Sequence, residues 1–238
     1  MQYYIFRSLE DKFEIMTSII LAVIFNWNMS VEAEKPKFIY VGDPMCSWCY
    51  GISEELSKTV EYYGDKIDLE VVMGGLRAGG GEEWNESFKT FLRHHWEDVG
   101  MKSGQPFKFD LLDKATFDYD TEPACRAVVT VSDMEIEKVL PFFQEVQKGF
   151  YLENKDPKEV EFYRSICVDM DINFEQFSSK FESSEMKNMT INHFRKSAEL
   201  GARSFPTLLL EYKGKREAVA VGYSTFDKMK GRIDKMLH

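Results

Sequence analysis

Two β-rich runs near the start of the chain enclose one stretch of helical periodicity. The runs extend from Phe38 to Val41 and from Ile67 to Met73 and are rich in branched and aromatic residues. Between them, apolar residues recur at helical spacing on one side, opposite a charged side. The apolar positions are Ile52, Leu56, Val60 and Tyr63. A strand, a helix and a strand in this order predict a βαβ unit with parallel strands.

Helical periodicity then continues from Glu82 to about Leu200. The predicted helices begin near Trp84, at Asp120-Thr121-Glu122-Pro123, at Met134, at Pro157 and at Ser184. The first ends near Gly100, and the second start combines a capping side chain with a proline in the first turn. Pro141 either kinks the helix that begins at Met134 or marks its true first turn. Aromatic-rich helical faces such as this one are expected mostly in the core, with groove lining by Phe150 and Tyr151 as the alternative.

The last part of the chain returns to β structure. Thr207 to Tyr212 and Glu217 to Val221 are predicted strands joined by a turn at Lys213-Gly214-Lys215, and a helix follows from Thr225. This hairpin and helix would complete the sheet that the βαβ unit opens. We therefore expect an α/β domain of residues 36–80 and 201–238, interrupted by a helical insertion of residues 81–200, with residues 1–35 as a leader outside it.

Composition and charge limit the partners. The chain has 238 residues, of which 44% are hydrophobic, and a formal net charge of −10. The length allows a sizeable core, and the acidic balance argues against nucleic acid and anionic membranes as partners. The apolar run from Ile19 to Phe25 is far shorter than the ~20 residues that a membrane-spanning helix needs. We therefore expect no nucleic-acid partner and no membrane span, while the oligomeric state stays open.

The same apolar run bears on the compartment. It has the character of a signal-peptide core, with Val31-Glu32-Ala33 as a small-residue cleavage site, but the segment before it is not basic. A start of translation at Met16 or Met29 is a further alternative. We expect a cytoplasmic protein, with the periplasm or cell envelope as the alternative if residues 1–33 are a signal peptide.

The chemistry of the chain is concentrated in Cys46-Ser47-Trp48-Cys49. This motif comes after the turn Gly42-Asp43-Pro44 and stands at the start of the first predicted helix. A helix start directs unpaired N–H groups and the positive end of its dipole toward Cys46, which favours the nucleophilic thiolate. Cys49, one turn further, is placed to attack a mixed disulfide formed at Cys46. A strand, a CxxC motif and a helix together predict a redox-active dithiol.

Two other interpretations of the motif carry less weight. A structural zinc site needs four ligands, usually with a second cysteine pair, and Cys125 and Cys167 form no such pair. A chance CxxC would lack the strand, turn and amphipathic helix around it. We therefore expect no metal and no bound cofactor.

Several further residues are candidates near this motif. Asp43 either modulates Cys46 or only caps the turn before Pro44. Cys125 falls in the first turn of a predicted helix, where the dipole would favour a thiolate; it is either a third thiol near the site or a small buried residue. Trp48 is expected to be exposed and to contact substrate. The glycine-rich loop Gly74–Gly81 matches no phosphate-binding pattern, and we expect it to allow close backbone approach near the cysteines.

Other cysteine and histidine positions give no chemical signal. Cys167 lies on an apolar helical face and is expected in the core. His94, His95 and His193 are not at metal-ligand spacing, and we expect them to be structural.

Pro206 opens the late strand and supplies the second half of a family pattern. A strand–CxxC–helix unit near the start and this proline resemble the thioredoxin superfamily, and the helical insertion resembles its DsbA-like branch. In that branch the proline is cis beside the active-site sulfurs, and the residue before it offers backbone groups to an extended substrate. The resemblance implies that Pro206 is the cis-proline and that Phe205 docks substrate.

Five segments resemble a bacterial group of predicted disulfide isomerases related to FrnE-type proteins. They are Asp43–Gly51, Gly74–Leu76, Gly104–Phe107, Glu122–Ala127 and Ser204–Thr207. The sequence departs from the better-known DsbA pattern, in which Pro-His separates the cysteines. Ser-Trp in that place implies a less acidic Cys46 and a less oxidising disulfide. The fold also resembles kappa-class glutathione transferases and hydroxychromene-carboxylate isomerases, which lack the redox CxxC.

Together these features predict an α/β protein with a thioredoxin fold and a large helical insertion, acting as a protein-disulfide oxidoreductase or isomerase. Its catalytic residues would be Cys46 and Cys49, and its partners would be proteins or small molecules with thiols or disulfides. Glutathione is a possible co-substrate, and the direction of electron flow stays open. Two alternatives are a glutathione-dependent transferase or isomerase, which would retain activity without Cys49, and a non-catalytic adaptor, which would retain function without Cys46.

Overall fold

The computed structural model describes residues 35–238, so the predicted leader lies outside the described residues apart from Lys35. Four strands form one sheet: β1 (Lys37–Gly42), β2 (Asp68–Met73), β3 (Thr207–Tyr212) and β4 (Lys215–Val221). Their order is β2-β1-β3-β4. Strand β1 is parallel to β2 and antiparallel to β3, which pairs antiparallel with β4. The predicted βαβ unit and the late hairpin are thus both confirmed, and they share one sheet.

Nine α-helices accompany the sheet within residues 35–238. Helices α1 (Ser47–Gly51) and α2 (Ser53–Tyr63) connect β1 to β2, and α9 (Phe226–Leu237) comes after β4. The intervening helices are α3 (Glu86–Ser103), α4 (Glu122–Met134), α5 (Val139–Tyr151), α6 (Tyr163–Asp169), α7 (Phe174–Phe181) and α8 (Ser184–Glu199). This arrangement is a thioredoxin-like fold with a helical insertion, as predicted.

Some predicted helix boundaries are wrong because loop residues continue the apolar pattern. Trp84 precedes α3, whose first turn is capped when the side chain of Asn85 accepts a hydrogen bond from Phe88 N. That helix extends to Ser103 rather than ending near Gly100.

Two further starts differ from the prediction. A 3-10 turn, Ile136–Lys138, separates α4 from α5 and leaves Pro141 in the first turn of α5, where its missing N–H costs nothing. Pro157 does not open a helix: a 3-10 turn, Val160–Phe162, comes first and α6 begins at Tyr163.

The core reflects the alternation of side chains along the strands. Phe38 and Tyr40 of β1 enter the main core, while Ile39 and Val41 pack on the other face of the sheet. The main core continues without a break into the insertion, where it includes Trp96, Phe142, Phe150, Tyr163 and Phe177. The division into residues 36–80 with 201–238 and residues 81–200 therefore stays a prediction, since the two parts share one apolar core.

The sheet register decides which segments meet at its edge. Val41, near the end of β1, is paired with Thr207 at the start of β3. The segment after β1 and the segment before β3 therefore lie at the same end of the sheet. Across residues 35–238, no helix combines the length and the apolar character needed to cross a bilayer.

Candidate active site

The turn after β1 is organised by Asp43. Its Oδ1 accepts a hydrogen bond from Met45 N (2.9 Å), and its main-chain oxygen accepts one from Cys46 N (3.0 Å). Such contacts are typical of a turn-capping aspartate. The turn-capping role considered for Asp43 is therefore present, and it fixes where the first cysteine leaves the turn.

The carboxylate of Asp43 also reaches other parts of the chain. Its Oδ2 accepts hydrogen bonds from Leu76 N (2.7 Å) and from Cys125 Sγ (3.4 Å). Asp43 has no exposed surface. Burial raises the pKa of its carboxyl above the ordinary value, and hydrogen bonds, that from Thr121 first, partly oppose this. The buried carboxyl thus joins the turn to the glycine-rich loop and to the start of α4.

Cys46 lies beside the residue that precedes the proline. Its Sγ is 3.6 Å from the main-chain oxygen of Phe205, and the Phe205–Pro206 peptide bond is cis, as the resemblance implies. Cys46 is the N-cap residue of α1 and keeps 4% of its surface exposed. Two segments 159 residues apart in the sequence therefore meet at the sulfur.

Cys49 is more deeply enclosed than Cys46. It has no exposed surface, and the thiols of all four cysteines are free. Burial, followed by the neighbouring Cys46 thiol, raises the pKa of Cys49 well above its ordinary value. The two cysteines of the motif are thus unequal, because only Cys46 has any contact with solvent.

Two tyrosines of the insertion hold the main chain immediately before Cys46. The hydroxyls of Tyr119 (2.8 Å) and Tyr151 (2.7 Å) both donate to the main-chain oxygen of Met45. Both side chains are buried, and so is Phe150, which agrees with the expected core position and not with the alternative of a groove lined by Phe150 and Tyr151. Through these two hydrogen bonds, the helical insertion holds the turn before Cys46 in place.

Trp48 is half-buried rather than exposed, so this prediction is wrong. Its ring makes an edge contact with His95 of α3 at 5.9 Å between centroids and a tilted contact with Tyr223 at 6.5 Å. Aromatic surface of this size is buried where neighbours are available. Part of the ring stays accessible, so contact with a substrate stays a prediction.

The glycine-rich loop approaches the proline segment closely, as expected. A Cβ at Gly74 would lie 2.2 Å from Cζ of Phe205, far inside van der Waals contact. The main-chain N–H of Gly74 also donates to the oxygen of Gly42 (2.7 Å), which extends the β1–β2 ladder. Glycine at this position therefore lets the Phe205 ring lie against the backbone.

The other two cysteines are buried thiols. Cys125 has no exposed surface, and burial followed by Asp43 raises its pKa well above the ordinary value. Of the two alternatives for Cys125, a small buried residue is therefore the one that burial supports, because desolvation outweighs the helix end and disfavours a thiolate. Its position near the site does hold, through the contact with Asp43. Cys167 is in the core as predicted, and burial raises its pKa to about 12.

No group of three or more histidine, cysteine or acidic side chains able to hold a metal occurs within residues 35–238. His193 Nδ1 accepts a hydrogen bond from Met73 N (3.4 Å), and His95 packs among aromatic rings. Burial lowers the pKa of both imidazoles.

Sequence reasoning missed the groups that surround the motif. Thr121, Tyr119 and Tyr151 are far from the motif along the chain and belong to an aromatic-rich helical region. Such residues are normally core, and only the turn chemistry at Asp43 hinted that buried polar partners would be needed.

The sheet order, the CxxC at the helix after β1 and the cis-proline before β3 define a thioredoxin-fold dithiol protein with a helical insertion. The sequence model of a family described as thioredoxin (Thioredoxin_5) matches residues 38–227. The chain therefore belongs to the thioredoxin superfamily and is a DsbA-like member of it.

Solved structures agree with this assignment. A candidate protein disulfide isomerase from Nitrosomonas europaea is 34% identical, with 86% of this chain and 98% of that chain covered and a TM-score of 0.78. The cytosolic disulfide reductase DsbM from Pseudomonas aeruginosa is 23% identical, with 84% and 98% covered and a TM-score of 0.69. A 2-hydroxychromene-2-carboxylate isomerase is 11% identical, with 84% and 94% covered and a TM-score of 0.58. The last two show likeness of fold alone. No match was found among curated proteins.

Proposed function

We propose that this protein is a thiol-disulfide oxidoreductase that acts on protein disulfides through Cys46 and Cys49. The observation that carries the proposal is the contact of 3.6 Å between Cys46 Sγ and the oxygen of Phe205, next to the cis peptide bond. The contact brings a reactive sulfur beside a main-chain segment with which an extended peptide can form hydrogen bonds. Membership of the DsbA-like group supports the same chemistry.

In the proposed reaction, the Cys46 thiolate attacks one sulfur of a substrate disulfide and displaces the other as a thiolate. The resulting mixed disulfide is then attacked by Cys49, which forms the Cys46–Cys49 disulfide and releases the substrate thiol. Two electrons thus pass from the protein dithiol to the substrate, and the reverse sequence oxidises a substrate dithiol. Since little of Cys46 is exposed, attack requires its sulfur to leave the Phe205 oxygen.

The remaining site residues have supporting roles in this proposal. Phe205 and Pro206 dock the partner chain, and the accessible part of Trp48 contacts it. The net direction depends on the reduction potential of the dithiol relative to its surroundings, where about 30 mV corresponds to about 1.4 kcal/mol. Glutathione is the small thiol that we propose as co-substrate for returning the dithiol to its starting state.

Insulin reduction and the reactivation of scrambled ribonuclease test the proposal. We expect Cys46→Ser to abolish turnover and Cys49→Ser to accumulate mixed disulfides, whereas Cys167→Ala, in the core away from the motif, should retain turnover. Unchanged turnover in both motif variants would overturn the proposal. Full turnover in Cys49→Ser, together with stoichiometric glutathione binding, would instead favour a glutathione-dependent transferase or isomerase.

A further inference from the structure

The outer side of strand β2 is held by a histidine of α8. Within residues 35–238, β2 is an edge strand, because the strand order is β2-β1-β3-β4, and α8 packs against it. The N–H of Gly74 donates to Gly42 O after β1 (2.7 Å), so the N–H of Met73, one residue earlier, points away from β1. It donates to Nδ1 of His193 (3.4 Å). The imidazole thus supplies the acceptor that a neighbouring strand supplies elsewhere in the sheet.

This acceptor matters because Met73 has no exposed surface. A buried main-chain N–H without an acceptor is destabilising. Nδ1 of His193 accepts only while it carries no proton, since both ring nitrogens of the imidazolium cation are donors. The side chain of His193 is half-buried, so its ring can still exchange a proton with solvent. Protonation therefore removes the acceptor and leaves two donors facing each other.

The end of β2 also carries the backbone on which the Phe205 ring lies. A Cβ at Gly74 would lie 2.2 Å from that ring. A Cβ at Gly75 would lie 2.8 Å from the ring of Phe194, which comes directly after the histidine on α8. Helix α8, the end of β2 and the Phe205 ring are therefore packed in series. A displacement at Met73 thus reaches the segment that precedes the cis-proline.

Lys196 and Glu70 are the charged groups that act on this imidazole. Lys196 lies one turn after His193 on α8 and forms an ion pair with Glu70 of β2, which also pairs with Lys37 of β1 (3.4 Å). Burial first, and then Lys196, lower the pKa of His193, while Glu70 opposes them. Within residues 35–238, no charged side chain of α4 or α7, which also pack against α8, adds to these effects. The imidazole is therefore neutral at neutral pH and takes up a proton in mild acid.

We propose that His193 is a positioning residue for substrate docking, whose neutral imidazole holds the end of β2 where it supports Phe205. This inference rests on the proposed function, in which Phe205 docks the partner chain beside Cys46. When the imidazole takes up a proton, Met73 loses its acceptor, the end of β2 moves from α8, and the Phe205 ring loses part of its support. Docking of a peptide therefore weakens in mild acid. The attack of Cys46 on a small disulfide that needs no docking does not depend on His193.

Two chromogenic disulfides separate docking from sulfur chemistry. One is dithiobis(nitrobenzoate), and the other is an unfolded peptide whose one cysteine is joined to thionitrobenzoate by a disulfide. Attack by the Cys46 thiolate on either probe breaks its S–S bond, releases the same coloured thiolate and leaves the other part bound to Cys46. Stopped-flow absorbance at increasing peptide concentration gives the half-saturating concentration, which measures docking, and the limiting rate, which measures sulfur attack. Both are recorded from about pH 8 to about pH 5, the range in which a histidine titrates.

Three variants isolate the imidazole. His193→Asn places an amide oxygen near the position of Nδ1 and does not titrate, so it keeps the acceptor at every pH. His193→Leu removes the acceptor, and His94→Asn replaces an exposed histidine of α3 as the matched control.

In the wild type we expect the half-saturating peptide concentration to rise about fivefold towards acid pH, as for one lost hydrogen bond to a buried N–H. His94→Asn should show the same rise. His193→Asn should keep the low value throughout, and His193→Leu should have the high value throughout. The reaction with dithiobis(nitrobenzoate) should have one pH profile in all of them, because that profile reports the Cys46 thiol. The amide resonance of Met73 should titrate in the wild type and not in His193→Asn.

Each contrary result has a separate meaning. An equal acid rise in His193→Asn, its loss in His94→Asn, or a low value in His193→Leu at neutral pH would overturn the inference. A Met73 resonance that titrates while peptide docking stays constant would also overturn it, and the proposed function would remain. If Cys46→Ser releases the coloured thiolate from both probes as fast as the wild type, the proposed function fails and this role fails with it.

Discussion

The two ends of strand β1 hold charge in opposite ways. At its start, Lys37 forms ion pairs with Glu70 of β2 (3.4 Å) and Glu211 of β3 (3.6 Å), and all three side chains are partly exposed. Lys196 of α8 pairs with Glu70, and Arg216 of β4 pairs with Glu211, which completes this row of charges. A hydrogen bond from Arg216 holds the pKa of Glu211 below its ordinary range.

At the other end of β1, Asp43 is completely buried and is held by neutral donors. These are two main-chain N–H groups, the Cys125 thiol and the Thr121 hydroxyl. When one charge of the exposed row is removed, water can bind the partner that is left. No water replaces a completely buried carboxyl, so its hydrogen-bond donors would stay unpaired. At the end of the sheet that carries the dithiol, the loss of a single side chain should therefore lower stability most.

Removing the buried carboxylate of Asp43 should cause the largest loss of stability. Asp43→Ala leaves the N–H groups of Met45 and Leu76 without an acceptor, and we expect the free energy of unfolding to fall by about 3 kcal/mol. Urea denaturation at neutral pH measures this. A loss below about 1 kcal/mol would mean that water satisfies these groups, and the contrast between the two ends of β1 would disappear.

The matched variant Asp43→Asn tests the burial of this carboxyl through the pH dependence of stability. Because the folded protein raises the pKa of Asp43, its ionisation costs stability. The stability that the wild type has below the ordinary pKa of 3.8 should therefore decline as the pH rises through the folded pKa. Asp43→Asn lacks this decline, so the wild type should lose stability relative to the variant as the pH rises. A difference that grows in the opposite direction would contradict the pKa shift.

A methyl group at position 74 should cause an intermediate loss of stability. In Gly74→Ala the new Cβ would meet the Phe205 ring at 2.2 Å, so the ring must move. We expect a loss of about 1–3 kcal/mol in unfolding free energy and slower disulfide exchange, because Phe205 is the proposed docking residue. Gly231→Ala in α9 is the control, since within residues 35–238 its added Cβ meets no atom within 4 Å apart from its chain neighbours and the backbone of its own helix. Normal exchange in Gly74→Ala would argue against a docking role for Phe205.

The exposed end of β1 should tolerate change. Glu211→Gln removes the charge that pairs with Lys37 and Arg216, and we expect a stability change within about 1 kcal/mol. Added salt should make the variant and the wild type converge, since exposed charges are screened. Denaturation at low and high ionic strength checks this. A large, salt-independent loss would show that this row of charges behaves like a buried one.

Much of the fold was predictable because its signals are local. The runs at Phe38 to Val41 and Thr207 to Tyr212 identify strands by composition, and the pattern from Ile52 to Tyr63 identifies α2 by spacing. The CxxC and Pro206 could be assigned to one site only through the resemblance to a family. The pairing of Val41 with Thr207 then accounts for their meeting.

Other features of the site could not be predicted from the local sequence. For Cys125, the place near a helix start favoured a thiolate, and only the structure shows that burial beside Asp43 reverses this effect. The exposure predicted for Trp48 failed because α3 supplies His95 as a packing partner. Both cases depend on the surroundings of a side chain, which cannot be inferred from its own segment when the neighbours are distant in sequence.

The sequence by itself determined the order of strands and helices, the dithiol motif and the glycine and proline positions that the turns require. These depend on backbone preferences and periodicity, which act over a few residues. Only the tertiary structure decided which thiols are buried and that Asp43 joins three segments. Desolvation and hydrogen-bond satisfaction depend on atoms brought together from distant parts of the chain, and they set the chemistry of the site.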